Sequence, residues 1–169
     1  GHGEWRLISG ALADISEALE VFRPHRDTRK ITVFGSARTV QSDPCYGLAE
    51  QLARSAVEAG FEVMTGAGGG IMEAGNRGAN EVNCKSISLN IVLPHEQEAN
   101  PYVTPELNFE FRYFHMRKMH FLLRAKAICI FPGGFGTFDE LFEALTLIQT
   151  GKIAPMPVIL FDSNHWKRL

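Results

Sequence analysis

The densest chemistry in this 169-residue sequence lies in residues 131–140, FPGGFGTFDE. Gly133, Gly134 and Gly136 remove the Cβ atoms that would hold backbone N–H groups away from a ligand, and Thr137 stands where an N-cap hydroxyl is expected. The stretch overlaps the apolar run 127–131 (AICIF) and leads into Phe138, Leu141, Leu145 and Ile148, which recur at steps of three and four. It predicts a strand, a glycine turn and a helix start. A helix N-terminus offers unpaired N–H donors and a partial charge of about +0.5, so the stretch reads as a phosphate cradle. Thr137 and Glu140 also fit T-x-x-E, a capping box in which both side chains merely satisfy backbone donors. The pattern lacks the Lys of G-x-x-x-x-G-K-[ST] and the spacing of G-x-G-x-x-G.

Two further stretches point the same way. The strand pattern 61–65 (FEVMT) runs into Gly66, Ala67, Gly68, Gly69 and Gly70 and then a short helix to about Asn80. The strand pattern 31–34 (ITVF) runs into Gly35-Ser36-Ala37-Arg38, where a Gly and a Ser let the chain pass close to a ligand, although a plain turn needs the same residues. Glycine loops after separate parallel strands would face one ligand at the carboxyl edge of the sheet. Arg117 is the remaining oddity. On a helix over 115–124 its neighbours are Tyr113, Phe114, His120 and Phe121, so its charge lies on an aromatic face. It either snorkels to solvent or pairs with a carboxylate or a phosphate, and Arg112 and Lys118 add positive charge beside it.

The elements that must position these residues follow from periodicity. Ile8, Leu12, Ile15, Leu19 and Phe22 predict a helix over 5–22 whose apolar stripe packs on the body or on a second subunit, with a charged link to residue 30. Asp43 before Pro44 starts a helix through Leu48, Leu52 and Ala56 that Gly60 stops. Residues 86–93 predict a strand, 94–106 an irregular loop of lid-like length, and 109–113 a short extended piece. A helix over 138–150 ends at Gly151, and 157–161 is the next strand. Residues 164–166 open a further helix, expected to be truncated at Leu169. Strands alternating with helices predict an α/β fold, a Rossmann-like doubly wound parallel sheet, in a single domain over 1–169.

Composition narrows the partners. With 45% hydrophobic and 21% charged residues the chain suits one buried domain. A net charge of −2 and a pI near 6.3, with the basic residues scattered, speak against nucleic acid and membrane surfaces and for a small ligand. Cys45, Cys84 and Cys129 form no CxxC pair, which argues against zinc or a disulfide framework and for the reducing cytoplasm. No stretch approaches the ~20 apolar residues of a membrane span.

Three motifs, GAGGGIMEAGNRGA (66–79), FRYFHMRK (111–118) and PGGFGTFDELFEALTLIQTGKI (132–153), resemble the LOG family, the cytokinin riboside 5′-monophosphate phosphoribohydrolases long misnamed lysine decarboxylases. The likeness covers about residues 31–166 and is nearer the longer bacterial branch. It implies a Rossmann-like homodimer or higher homo-oligomer that hydrolyses the N-glycosidic bond of AMP or N6-modified AMP, giving a free base and ribose 5-phosphate, with no cofactor and no metal. Residue by residue it implies a catalytic pair, Arg117 and Glu140. It implies a phosphate site at Gly133, Gly134, Gly136 and Thr137, with Gly68, Gly69 and Gly70 on the opposite side. Gly35, Ser36, Met116 and Lys118 complete the expected substrate contacts. This chain has AGGGIM where many relatives carry a Pro in a longer loop, and Met116 stands where short members have Glu.

The chemistry fits the resemblance. Breaking a glycosidic bond builds positive charge on the ribose, and a carboxylate beside C1′ stabilises that charge or activates water. Arg117 would hold phosphate or ribose hydroxyls and keep Glu140 ionised. The alternative is a nucleotide-binding or regulatory module that does not turn over. Lysine decarboxylation has no sequence support, since no Lys is singled out to carry a pyridoxal cofactor.

Overall fold

The short apolar runs become strands, and Pro44, Gly60, Gly70 and Gly134 mark helix boundaries. The computed structural model describes residues 1–92, 98–167 and 169. In chain order it contains α1 (His2–Phe22), β1 (Lys30–Phe34), α2 (Pro44–Glu58), β2 (Glu62–Thr65), α3 (Ile71–Glu81) and β3 (Ile87–Ile91). There follow β4 (Asn108–Phe111), α4 (Phe114–Arg124), β5 (Ala127–Ile130), α5 (Phe135–Gln149), β6 (Val158–Leu160) and α6 (Ser163–Trp166). The Asp43 carboxylate accepts the Cys45 N–H at 2.8 Å to start α2 above Pro44, and Gly60, at φ 85°, turns the chain out of it.

The six described strands form one sheet in the order β4-β3-β2-β1-β5-β6, and every pairing is parallel. This is the single-domain Rossmann-like fold that the alternation predicts. The chain steps outward from β1 to β4 and then returns to lay β5 on the other side of β1. Such a reversal opens a crevice beyond the carboxyl ends of the two central strands. Phe34 lies opposite Ile130, so residues 35–36 and 131–134 leave the sheet side by side. Both faces of the sheet are covered: Phe22, Met64, Leu89, Ile128 and Ile130 belong to one apolar cluster, and Val33, Val63, Ile71, Cys129 and Phe131 to the other.

α1 meets the body through only the end of its predicted stripe. Asp14, Ala18 and Phe22 are buried, while Ile8, Leu12 and Leu19 of the expected stripe are exposed and do not pack on the body. The cause is polar. Asp14 accepts the backbone N–H groups of Arg112 at 2.9 Å and Tyr113 at 3.3 Å, and its other oxygen accepts from the Arg112 guanidinium at 2.6 Å. Arg112 therefore spends on α1 the charge expected beside Arg117. Phe22 closes the same face by stacking on His120 of α4, with ring centroids 5.7 Å apart.

Of the expected lid, residues 94–97 lie outside the described residues, as does Leu93 of the predicted strand. The part that follows is pinned. The Asn100 amide donates to the carbonyls of Ala67 and Gly68 at 3.2 and 2.9 Å and to Asn76 Oδ1 at 2.9 Å. Asn76 in turn accepts from Thr65 and donates to Ser86 and Ser88. A buried polar network thus sets the path of the glycine loop after β2.

Candidate active site

Three loops meet at Ser36. Its N–H donates to the Pro132 carbonyl at 3.0 Å, its carbonyl accepts the Ile71 N–H at 3.1 Å, and its hydroxyl accepts the Arg38 N–H at 3.1 Å. The loops after β1, β2 and β5 are therefore tied into one floor. Two glycines are demanded by that closeness. Gly70 has φ +63°, and a Cβ there would sit 2.2 Å from the Ser36 carbonyl oxygen. A Cβ on Gly133 would sit 2.1 Å from Thr137 Oγ1 and 3.0 Å from Ser36 N.

The helix above this floor starts earlier than the sequence suggests. Gly134 is the N-cap of α5, and Phe138 N–H bonds back to the Gly134 carbonyl at 3.1 Å. Thr137 consequently lies in the first turn and Glu140 in the second. The expected Thr137 N-cap and its T-x-x-E capping box are not formed, because extended Gly134 already occupies the capping position. The N–H groups of Phe135, Gly136 and Thr137 precede the first residue that can bond back within the helix. Gly134, Phe135, Gly136 and Thr137 line a cavity of roughly 730 Å³, so the unpaired end of α5 opens on it.

Arg117 and Glu140 line the same cavity. Glu140 is 6% exposed, and its Oε2 has no hydrogen-bond partner among the described residues. Burial pushes its carboxyl up to about 7, with the Arg117 and then the Lys118 charge offsetting part of the rise. The Arg117 guanidinium sits 5.3 Å from the Phe114 ring centroid and 5.8 Å from that of Phe121, so the aromatic face read from helical spacing is real. Its buried Nε also lacks a partner among the described residues, and burial lowers its pKa while Glu140 partly restores it. Arg117 acts in the expected direction, favouring the ionised form of Glu140, and desolvation is the larger influence.

Of the expected contacts, Gly35, Ser36, Gly134, Gly136, Thr137, Arg117 and Glu140 line the cavity. Gly68, Gly69, Gly70, Gly133, Met116 and Lys118 do not. Gly69, Gly70 and Gly133 serve the packing of the loops on one another, the Gly68 carbonyl accepts the Asn100 amide, and Met116 packs against the apolar core. Lys118 is held by Asp139 and Glu143. Arg38, Met72, Ile91, Phe114, Phe135 and Asp139 line the cavity without having been expected there. For Arg38 and Met72 the signal was their position beside glycine loops already marked. For Ile91 there was none, because it reaches the cavity only through the strand order. No group of three His, Cys, Asp or Glu side chains suited to a metal occurs among the described residues, and no described helix is long and apolar enough to cross a membrane.

Residues 72–169 match a family model described as possible lysine decarboxylase. No curated protein matches the chain. Among solved structures, the structural genomics target TM1055 shares 26% identity with a TM-score of 0.61, covering 80% of this chain and 75% of that one. A molybdenum cofactor carrier protein from Chlamydomonas reinhardtii shares 22% identity with a TM-score of 0.59, covering 79% and 76%. A molybdenum cofactor binding protein from the phototrophic bacterium Rippkaea orientalis shares 20% with a TM-score of 0.55, covering 83% and 82%. The last two likenesses are of fold alone.

Proposed function

Because this chain belongs to the LOG-type family that carries the description possible lysine decarboxylase, we propose that it hydrolyses the N-glycosidic bond of a nucleoside 5′-monophosphate, AMP or an N6-modified AMP. The observation that carries the reading is Glu140, a buried carboxylate whose Oε2 has no partner among the described residues, in a cavity on which the N-terminus of α5 opens. The 5′-phosphate would sit on the first turn of α5 at Gly134, Gly136 and Thr137, where unpaired N–H groups and the helix dipole favour an anion. Phe114 and Phe121, with Met72 and Ile91, give the cavity the apolar walls a base needs.

As the C1′–N bond breaks, its electron pair leaves with the base and positive charge grows on the ribose. The ionised Glu140 offsets that charge and takes a proton from the water whose oxygen bonds to C1′. The proton taken by Glu140 returns by way of solvent to the released nitrogen of the base, which regenerates the carboxylate and leaves ribose 5-phosphate. Arg117 holds ribose hydroxyls or phosphate from the aromatic wall. Asp139 also lines the cavity, but it is half exposed and committed to Lys118.

Lysine decarboxylation does not fit, for the cavity lining contains no lysine to carry a pyridoxal cofactor. A non-catalytic binding module, the second reading, is favoured by the neighbours named as cofactor carriers. A buried Glu140 beside the start of α5 is the group a hydrolase adds to such a binding site. The exposed seam of Ile8, Leu12 and Leu19 supports a homodimer or higher homo-oligomer, checked by the mass from light scattering. Free Cys45, Cys84 and Cys129 support a cytoplasmic setting. The test of function is base release, followed by chromatography, from AMP, GMP, CMP and N6-isopentenyl-AMP. A free purine and ribose 5-phosphate are expected, and no release from any member of the panel refutes the reading.

A further inference from the structure

Arg117 and Glu140 do not bond to each other, yet the proposed reaction needs both at one ribose, so something else must set their separation. The adjacent residues do. Lys118, next to Arg117 on α4, places its Nζ 2.5 Å from Asp139 Oδ2 and 2.7 Å from Glu143 Oε2. Asp139 and Glu143 stand one turn apart on α5 and flank Glu140. The Lys118 side chain is only 15% exposed and does not line the cavity, whereas Asp139 does. Burial works against the ammonium, but the two carboxylates outweigh it and hold the Lys118 pKa above its ordinary range.

Resting on the hydrolase reading, we propose that Lys118, Asp139 and Glu143 form a latch between α4 and α5 that fixes the spacing of Arg117 and Glu140. Lys118 is then a positioning residue and not a contact to the substrate. To reach a phosphate it would have to leave two carboxylates in a partly buried place, with nothing to replace it. The latch also explains why the site tolerates an unbonded Arg117 and Glu140. Two helices joined by this bridge and by β5 cannot slide to close or widen the gap.

The test compares wild type with Lys118→Met, Lys118→Arg, Glu143→Lys and the swapped pair Lys118→Glu with Glu143→Lys, on AMP or whichever panel member the wild type cleaves best. The swap restores an opposite-charge contact across the helices and leaves Asp139 four residues before the new Lys, a favourable helical pair. Lys118→Met should lower kcat by roughly 10-fold to 100-fold with KM within about threefold, as expected for displaced groups. Lys118→Arg should stay within about threefold of wild type, and the swap should recover most of the lost kcat. A raised KM with kcat unchanged, or a folded swap no better than Lys118→Met, would mean that Lys118 meets the substrate and would overturn the latch. Wild-type base release decides the hydrolase reading separately. Should it fail, the latch is still judged by urea unfolding of Lys118→Met, Glu143→Gln and the double variant. Non-additive midpoints support the latch and additive midpoints reject it.

Discussion

Arg117 and Glu140 face one cavity from two helices and stop short of a salt bridge. Each keeps a buried polar atom without a partner among the described residues, Nε on one and Oε2 on the other. Leaving such atoms unpaired costs about 1–3 kcal/mol each, so the arrangement is stabilised only when a ligand with polar groups enters between them. A closed pair would make a better fold and a worse site.

Glu140 should impose its own pH dependence on stability. Its folded value of about 7 lies above the ordinary 4.5, so the folded protein holds this proton more tightly than the unfolded chain. The contribution is full below the unfolded value and is lost as pH rises through the folded one. Urea unfolding of wild type against Glu140→Gln should therefore show wild type losing on the order of a few kcal/mol relative to the variant between about pH 5 and about pH 8. Parallel curves would mean that the carboxylate titrates as if in water.

Two glycines of one motif should separate stability from binding. A Cβ on Gly133 meets Thr137 Oγ1 at 2.1 Å, so Gly133→Ala overpacks the loop and should cost about 1–3 kcal/mol. A Cβ on Gly136 meets nothing within 4 Å, and the residue lies inside α5. Gly136→Ala should keep or gain up to ~1 kcal/mol of stability while crowding the cavity at the start of α5. Thermal melts and AMP calorimetry check both. Undiminished AMP affinity in Gly136→Ala would remove the phosphate from the start of α5.

Asn76 is the centre of a buried network and should be costly to lose. Asn76→Ala leaves Ser86, Ser88, Thr65 and the Asn100 amide short of a partner, which should cost about 2–4 kcal/mol in urea unfolding. Because Asn100 holds the Ala67 and Gly68 carbonyls, backbone amides of the glycine loop should also exchange faster with deuterium. Unchanged exchange would show the loop to be held by the Ser36 floor alone.

What could be read in the sequence was local. Strand runs, the Asp43–Pro44 start, the Gly60 stop and the aromatic face of Arg117 all depend on neighbours within a few residues, and each is present. What escaped depends on distant partners. Asp14 turned α1 because it meets the chain at residues 112–113, and no periodicity in residues 5–22 contains that fact. Lys118 reads in the sequence as a substrate contact beside Arg117, and its ion pairs with Asp139 and Glu143, more than twenty residues on, are not visible in that stretch. Thr137 and Glu140 matched a capping box by type and spacing. Gly134 moved the helix start by three residues and placed both inside the helix instead.

That shift sharpens the decisive measurement, which is base release from AMP by Glu140→Gln beside wild type. With no capping box to disturb, and with the charged form no longer buried, the variant should fold at least as well as wild type. It should bind AMP through the start of α5 with affinity within about threefold, and turn over on the order of 10²-fold to 10⁴-fold more slowly, the range for loss of a general acid or base. A folded Glu140→Gln protein that releases base at near wild-type rate would contradict the role of this carboxylate and leave the cavity a binding site without its chemistry.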